Sequence, residues 1–352
     1  MDSLKIVTNE SSDFVSLWGD FCQLNKMPAF LSIIWLEFCE KIMRENFLRN
    51  MSFMVTKGTS VVAIVPILME KGIYGNQFSI SNGYLLPSPV VSIEATTDFR
   101  REIEKHIFSH IAEMALAENV CLYMTLIDPL SAIEQKYQHN YLLEQNFLDV
   151  SLLTTIVDLR VSAEILFSRL RKSFKPLINR EMKRCQIVMV DHKSVTKVLF
   201  EHFPRLYHLA SGRNVYADSE WDILFMMIKQ DLGMLVLVQL GNEIIGGSYF
   251  NHSNAKAYYS LSANDPKYET SNYSGHIAIW KAMEYYNQRG FEWLELGWQF
   301  FGPQLLENPS EKNVNISFFK RGFGGCYFPI YRGIKFFNNQ TRKEFIEKNI
   351  TI

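Results

Sequence analysis

The stretch from Met234 to Gly325 constrains the fold of this chain more than any other. Met234–Leu240 and Ile244–Phe250 are mainly apolar segments joined by Gly241-Asn242, and a two-residue Gly-Asn connection predicts a β-hairpin. Further along, the pattern predicts a third strand, a helix and a fourth strand at Lys256–Ser262, Ser274–Arg289 and Phe291–Leu296. Three antiparallel strands, a helix and a strand parallel to the last of them define a mixed α/β unit.

The loop before the predicted helix, Asp265–Tyr273, marks a candidate ligand site. A helix N-terminus exposes free backbone N–H groups, which favour an anionic group. Several residues here are competent helix caps. We therefore expect the segment to line the main cleft and to bind the donor substrate; its residues are Thr270, Ser271, Asn272, Tyr273, Ser274 and Gly275.

The first half of the chain repeats this order of elements. A hairpin, a loop, a helix and a strand are predicted at Ser52–Leu68, Gly72–Pro89, Asp98–Glu118 and Cys121–Ile127, and other helices at Ser12–Leu24, Ile33–Phe47 and Ser131–Glu144. Because the second half shows the same succession, we infer two copies of one α/β unit. The boundary is placed between Leu152 and Leu153, which gives domains of residues 1–152 and 153–352.

Composition excludes several classes of function. The chain has 352 residues, 47% of them hydrophobic, with a formal net charge of −1 and a pI of about 6.7. Such a balance gives no general attraction to nucleic acid or to an anionic membrane, so no DNA partner is expected. The five cysteines are widely spaced and contain no C-x-x-C pair, which is typical of reduced thiols in a cytoplasmic protein.

The N-terminal residues Met1–Glu10 lack the charged start and apolar run of a secretion signal. No stretch approaches the ~18 uninterrupted apolar residues of a membrane-spanning helix. We therefore expect a cytoplasmic protein without a transmembrane segment.

The segment Ser162–Arg184 is the most basic part of a nearly neutral chain. Its cations are Arg169, Arg171, Lys172, Lys175, Arg180, Lys183 and Arg184. One interpretation is a solvated helix face. The other is phosphate recognition, in which Lys172, Lys175 and Arg180 pair with a nucleotide or a tRNA backbone.

Other chemical motifs are incomplete. His106 and His110 have metal-ligand spacing, but no third ligand accompanies them, so no metal site is predicted. Gly246-Gly247-Ser248 is not a nucleophile elbow, because the flanking residues do not give G-x-S-x-G. The chain also has neither a P-loop nor a G-x-G-x-x-G turn after a strand, so hydride transfer and NTP hydrolysis have no local support.

The order of segments resembles the FemAB/FemX family of peptidyl transferases and the related BioF2-like acetyltransferase domains of the GNAT superfamily. Five pieces carry this resemblance: Pro28–Trp35, Leu170–Arg180, Tyr259–Pro266 with Tyr273–Ala282, Gly290–Gly297 and Phe319–Gly325. The resemblance implies tandem GNAT-like domains. The first would be largely structural, and the second would transfer an acyl or aminoacyl group onto an amine.

The chain departs from both branches of that family. The Arg/Gln-x-x-Gly-x-Gly/Ala pyrophosphate loop of acetyl-CoA enzymes is missing, and Glu269–Gly275 stands in its place. The long helical arm of some Fem ligases is also missing. The resemblance therefore leaves two donors open, acyl-CoA as a co-substrate or an aminoacyl-tRNA, with no permanently bound cofactor.

Four residues are candidates for the chemistry. Attack of an amine on an ester or thioester builds negative charge on a carbonyl oxygen, which a fixed cation stabilises. The resemblance places Phe319-Lys320 at the dipeptide that stabilises this oxyanion in FemX-like enzymes; a surface lysine at a strand end is the alternative. Asp265 either orients the acceptor amine or caps the turn before Pro266. Glu295 is either a general base with a raised pKa or an exposed strand carboxylate.

The prediction from sequence is a cytoplasmic N-acyltransferase, with an amino sugar or a peptidoglycan-type precursor as the amine acceptor. The first alternative is a tRNA-dependent aminoacyl transferase acting on a peptidoglycan precursor. The second is a GNAT-like pair that serves only as a binding or scaffold module.

Overall fold

The computed structural model describes residues 3–78, 86–268, 274–304 and 306–349 of the chain. They divide into two compact α/β units. The first unit comprises Met1–Leu152, Pro303–Asn308 and Pro329–Ile352, and the second comprises Leu153–Gly302 and Pro309–Phe328. The predicted second domain thus differs from the second unit, because two later segments join the first.

The first unit contains two sheets. Its strands are β1 (Leu4–Thr8), β2 (Phe47–Asn50), β3 (Phe53–Lys57), β4 (Ser60–Val65), β5 (Leu68–Gly72), β6 (Gly75–Phe78), β7 (Val90–Val91), β8 (Val120–Leu126) and β9 (Leu148–Asp149), with a late strand at Arg332–Phe336. Its helices are α1 (Phe14–Leu24), α2 (Ile33–Met43), α3 (Thr97–Ala117) and α4 (Pro129–Glu134), with a last helix at Asn339–Asn349. One sheet has the order β1-β3-β4-β7. In the other, the late strand lies between β8 and β9.

Three predictions for this half were wrong. Residues 75–78 form β6 rather than part of a loop, and β6 pairs with β8 in parallel. The second helix ends at Met43, and Phe47 already begins a strand. The helix predicted at Ser131–Glu144 is replaced by α4 and a short 3₁₀ helix at Tyr141–Gln145.

The second unit is built around one seven-stranded sheet. Its strands are β10 (Leu152–Asp158), β11 (Gln186–Val190), β12 (Gly233–Leu240), β13 (Glu243–Ser253), β14 (Lys256–Asn264), β15 (Trp293–Gln299) and β16 (Cys326–Ile330). Its helices are α5 (Ala163–Arg169), α6 (Phe174–Arg184), α7 (Lys197–Ser211), α8 (Asp218–Lys229), α9 (Ser274–Gln288) and α10 (Glu311–Lys320). The strand order is β11-β12-β13-β14-β15-β10-β16. In chain order, the strand at Arg332–Phe336 is β17 and the helix at Asn339–Asn349 is α11.

The hairpin signal at Gly241-Asn242 produces the centre of this sheet. β12 and β13 pair antiparallel around that turn, where Gly241 has a φ of +59°. β13 and β14 are also antiparallel, whereas β14 and β15 are parallel. α9 packs its apolar side on these strands, where Ile277 and Met283 are fully buried with Leu294.

The parallel pair opens toward its carboxyl end. β14 and β15 pair at Lys256 with Trp293, at Ala257 with Leu294 and at Tyr258 with Glu295; in the described part of both strands the pairing stops there. On its other side β15 stays paired with β10 along its length, from Trp293 to Gln299. The strands therefore separate and leave a cleft, the position where ligands bind in open sheets with parallel strands.

The opposite end of the unit is held by a polar network around the partly exposed carboxylate of Asp231. His252 is buried, with Nδ1 2.9 Å from the Tyr286 hydroxyl and Nε2 3.2 Å from Asp231 Oδ1. Arg289 donates to Asp231 Oδ2 at 3.1 Å. Burial raises the pKa of Asp231, but the bonds from His252 and Arg289 outweigh it and hold the pKa well below its usual range. Burial lowers the pKa of His252, so a neutral ring donates to Asp231 and accepts from Tyr286.

Replacing Asp231 with asparagine is expected to destabilise the protein by about 1–2 kcal/mol at neutral pH, since charge-assisted bonds are lost from a carboxylate that is partly screened by solvent. A depressed native pKa contributes stability above the unfolded value, and that stability is lost as pH falls through the native pKa. The difference in unfolding free energy between the wild type and Asp231→Asn should therefore shrink below about pH 4. Urea unfolding of both proteins at several pH values measures this difference. A difference that does not change with pH would contradict the depressed pKa of Asp231.

Candidate functional site

The cleft of the second unit is shaped by a bulge in β15. Thr154 pairs with Trp298 and Ile156 pairs with Glu295, so β15 contains one extra residue across from β10. Gly297 lies in this bulge with a φ of +90°, a conformation that favours glycine. A Cβ on Gly297 would lie only 2.5 Å from Lys320 Nζ. The absence of a side chain at Gly297 therefore lets the Lys320 amine pack directly against β15.

Lys320 is the last residue of α10, not a residue at a strand end. Its side chain is half-buried, and its Nζ lies 5.8 Å from the centre of the Tyr259 ring on β14. The amine thus lies between the two diverging strands. Burial lowers the pKa of Lys320, and the negative charge of Glu295 opposes that change.

Glu295 is buried, at 7% exposure, so it is not an exposed strand carboxylate. It accepts a hydrogen bond from the Thr154 hydroxyl of β10. This bond and the charge of Lys320 satisfy a carboxylate that would be costly to bury alone. Its role as a general base stays a prediction.

The opposite wall of the cleft carries hydroxyl groups that no sequence motif marks as functional. The Ser248 and Ser262 hydroxyls lie 3.2 Å apart on paired residues of β13 and β14. Burial raises the pKa of Tyr259, and hydrogen bonds to Ser262 and Ser248 oppose that rise. From the sequence, these three residues were predicted only to lie in β-strands.

Phe319 belongs to an aromatic wall beside Lys320. Its ring centre lies 4.8 Å from that of His276, 5.7 Å from that of Phe174 and 5.2 Å from that of Phe323. Burial, and then the charge of Arg171, lower the pKa of His276 to about 4. This histidine is therefore a neutral member of an apolar wall at physiological pH.

The first turn of α9 closes the cleft on the side of β14. Ser274 donates to the Asn264 side chain at 2.6 Å, and a Cβ on Gly275 would lie 3.6 Å from the Phe319 ring. Ser274 and Gly275, both predicted to bind the donor, thus lie near Phe319. The other predicted donor-binding residues, Thr270, Ser271, Asn272 and Tyr273, lie outside the residues that the structure describes.

Asp265 follows β14 and accepts a hydrogen bond from the Lys267 backbone N–H at 2.8 Å. Tyr268 N–H donates to its carbonyl at 3.0 Å, so Asp265 caps the short 3₁₀ helix Pro266–Tyr268. That contact fits the turn-capping interpretation. Orientation of an acceptor amine by Asp265 stays a prediction.

The three predicted phosphate-binding cations have different surroundings. Lys172 is exposed in the turn before α6, and Lys175 donates to the Ser168 carbonyl at 2.8 Å. Arg180 instead pairs with the buried carboxylate of Glu181 at 2.9 Å. The charge of Arg180 is therefore balanced by Glu181, whereas no such carboxylate partner is described for Lys172 or Lys175.

No protein-family model and no curated protein matches the chain. Solved structures are similar to it. The crystal structure of FemX covers 98% of this chain and 100% of that one, with a TM-score of 0.69 and 12% identity. L-PGS from Bacillus licheniformis covers 95% of each chain at a TM-score of 0.58 and 10% identity. A tandem GNAT protein from the clavulanic acid biosynthesis pathway covers 96% of this chain and 99% of its own, at a TM-score of 0.52 and 11% identity.

These similarities establish the fold. The chain is a mixed α/β protein with tandem GNAT-like units, as predicted. Its arrangement of elements is that of a FemX-like protein, which confirms the resemblance in fold. Separately, none of the helices in the described ranges has the length and apolar character needed to cross a bilayer.

Proposed function

We propose that this protein is a transferase that moves an acyl or aminoacyl group onto an amine in the cleft between β14 and β15. The observation that carries the proposal is the half-buried Lys320 amine, which lies against Gly297 beside the buried carboxylate of Glu295. A cation fixed in a partly dry cleft is suited to stabilise negative charge that develops on a carbonyl oxygen. The FemX-like and GNAT-like fold supports the same class of reaction.

In the proposed reaction the acceptor amine attacks the carbonyl carbon of the donor, and the carbonyl electron pair moves onto its oxygen. The Lys320 ammonium stabilises that oxyanion. The pair then returns, the bond to the donor's sulfur or oxygen breaks, and the amine proton leaves to solvent or to the leaving group. Phe319 and the neighbouring rings limit access of water to the reacting carbonyl.

The proposed acceptor is an amine of a cell-envelope precursor or an amino sugar, and the protein is proposed to act in the cytoplasm. The donor is an acyl-CoA thioester or an aminoacyl-tRNA ester. Both donors present the same kind of carbonyl to Lys320, so the cleft suits either one.

The test is to incubate the protein separately with acyl-CoA and with aminoacylated tRNA, each with a set of amine acceptors, and to detect products by mass spectrometry. Transfer from one donor by the wild type, with loss of that transfer in Lys320→Met, supports the proposal and identifies the donor. If neither donor yields a product, the proposal fails and the scaffold interpretation is favoured.

Replacing Glu295 with glutamine is expected to move the alkaline limb of the kcat/KM profile to lower pH. The negative charge of Glu295 raises the pKa of Lys320, so its removal lets the ammonium deprotonate at lower pH. Glu292→Gln, an exposed neighbour just before β15, is the matched control. An unchanged pH profile in Glu295→Gln would show that Glu295 does not set the charge of Lys320.

A further inference from the structure

Two adjacent threonines of β10, Thr154 and Thr155, have different surroundings although both are fully buried. The Thr154 hydroxyl donates to the Glu295 carboxylate of β15. Within the described ranges, the Thr155 hydroxyl has no hydrogen-bond partner, and an added Cβ on Gly325 would lie 2.6 Å from the Thr155 methyl group. Because successive side chains of a strand point to opposite faces, only Thr154 lies on the face that carries Glu295.

A β-bulge brings Thr154 to Glu295. In the antiparallel pair of β10 and β15, Ile156 lies opposite Glu295. Thr154 lies opposite Trp298, so β15 has one residue more than β10 between these two pairs. Thr154 and Ile156 share one face of β10, where diagonal neighbours on the paired strand are within reach. The pairing of the two strands therefore brings the hydroxyl to the carboxylate.

The Glu295 carboxylate is buried at 7% exposure. A buried carboxylate is tolerated when it accepts a hydrogen bond and lies near an opposite charge. Thr154 supplies the hydroxyl donor, and Lys320 supplies the positive charge. Burial lowers the pKa of Lys320, and the negative charge of Glu295 opposes that change. The position of the carboxylate therefore affects how much of the amine stays charged.

The hydrogen bond also gives the carboxylate a direction. In the sheet, β10 and β14 lie on opposite sides of β15, and Glu295 accepts its bond from Thr154 on the β10 side. A general base would have to reach the proton of an amine bound between β14 and β15. The direction of Glu295 suits a charge that stays fixed beside Lys320 better than it suits such a base.

We propose that Thr154 is a positioning residue, whose hydroxyl holds the Glu295 carboxylate in place as the fixed counter-ion of the Lys320 ammonium. Thr154 touches no substrate in this arrangement and acts only through Glu295. This role rests on the proposed function only where it concerns the rate of transfer. The effect on Lys320 itself can be measured without a substrate.

The first measurement follows the ionisation of Lys320 by NMR of protein with ¹³C-labelled lysine side chains, and Lys320→Met identifies its signal. Thr154→Val keeps the shape of the side chain and removes the hydroxyl. We expect it to lower the titration midpoint of Lys320 by about 0.5 pH unit, because the negative charge is no longer held beside the amine. Glu295→Gln should lower the midpoint further, since it removes that charge altogether.

Thr155→Val is the matched control, because it removes an equally buried hydroxyl from the next residue of the same strand. It should leave the Lys320 midpoint unchanged. Thr154→Ser keeps a hydroxyl and should titrate like the wild type. If valine disturbs folding at Thr154, as judged by urea unfolding, Thr154→Cys replaces it, since a thiol is a much weaker donor.

The second measurement uses transfer by the protein with its identified donor. The alkaline limb of the kcat/KM profile should move to lower pH in Thr154→Val by the same amount as the Lys320 midpoint. Because Thr154 is proposed to act through Glu295, adding Thr154→Val to Glu295→Gln should shift neither quantity further.

Three outcomes would overturn the positioning role of Thr154. They are a Lys320 midpoint in Thr154→Val that is unchanged or raised, an equal shift in Thr155→Val, and a further shift when Thr154→Val is added to Glu295→Gln. The expected NMR shifts in a protein that transfers no group from either donor would refute the proposed function alone.

Discussion

Lys320→Met is expected to lower kcat by on the order of 10²-fold or more, with little change in substrate binding. Loss of one group that stabilises an oxyanion typically costs ~3–4 kcal/mol of transition-state stabilisation. Methionine keeps the length and apolar stem of the side chain, so the packing against Gly297 and Tyr259 should survive. Steady-state kinetics with the donor identified by mass spectrometry, together with a thermal unfolding curve, measure both effects.

Lys320→Arg should restore little of the lost rate. The amine occupies a narrow position above Gly297, where a planar guanidinium has a different shape and charge distribution. Lys312→Met is the matched control, since Lys312 is an exposed lysine of the same helix. If Lys320→Met and Lys312→Met turn over like the wild type, Lys320 is a packing residue and the mechanism is wrong.

Local signals explain the elements that were predicted well. The Gly241-Asn242 turn specified the β12–β13 hairpin, and the helix predicted at Ser274–Arg289 is observed as α9, Ser274–Gln288. Each signal lies within a few residues of the element that it defines, so the sequence is sufficient to place it.

Two of the assignments that differ from the structure involve partners that are far apart in the chain. β6 is only four residues long, and its strand character depends on pairing with β8. β17 pairs with β8 of the first unit across some two hundred intervening positions. No local pattern marks such pairings, and the C-terminal segment was therefore assigned to the second domain.

In the site, too, some residues were predicted from local sequence and others are brought together only by the fold. Lys320 and Glu295 were selected for their chemistry, but Thr154 is separated from Glu295 by 141 positions and was not. Gly297 carried a usable signal, because an isolated glycine inside a strand pattern indicates a bulge or a close approach.

Gly297→Ala is expected to lower kcat about as much as Lys320→Met does, although it leaves the lysine in place. The added Cβ would lie 2.5 Å from Lys320 Nζ, and the end of this flexible side chain can move away at little cost to folding. The amine then no longer lies where the oxyanion forms. The positive φ of Gly297 adds strain of about 1 kcal/mol to the folded state.

Gly290→Ala separates strain from displacement, because Gly290 also has a positive φ, of +76°, but an added Cβ there would meet nothing within 4 Å. Both variants should lose about 1 kcal/mol of stability in urea unfolding, and only Gly297→Ala should lose activity. Since Gly297 is proposed to act through Lys320, adding Gly297→Ala to Lys320→Met should lower kcat no further. Additive losses in the double variant would show that Gly297 serves the reaction independently of the amine, and equal losses of activity in Gly290→Ala and Gly297→Ala would reduce the effect to backbone strain.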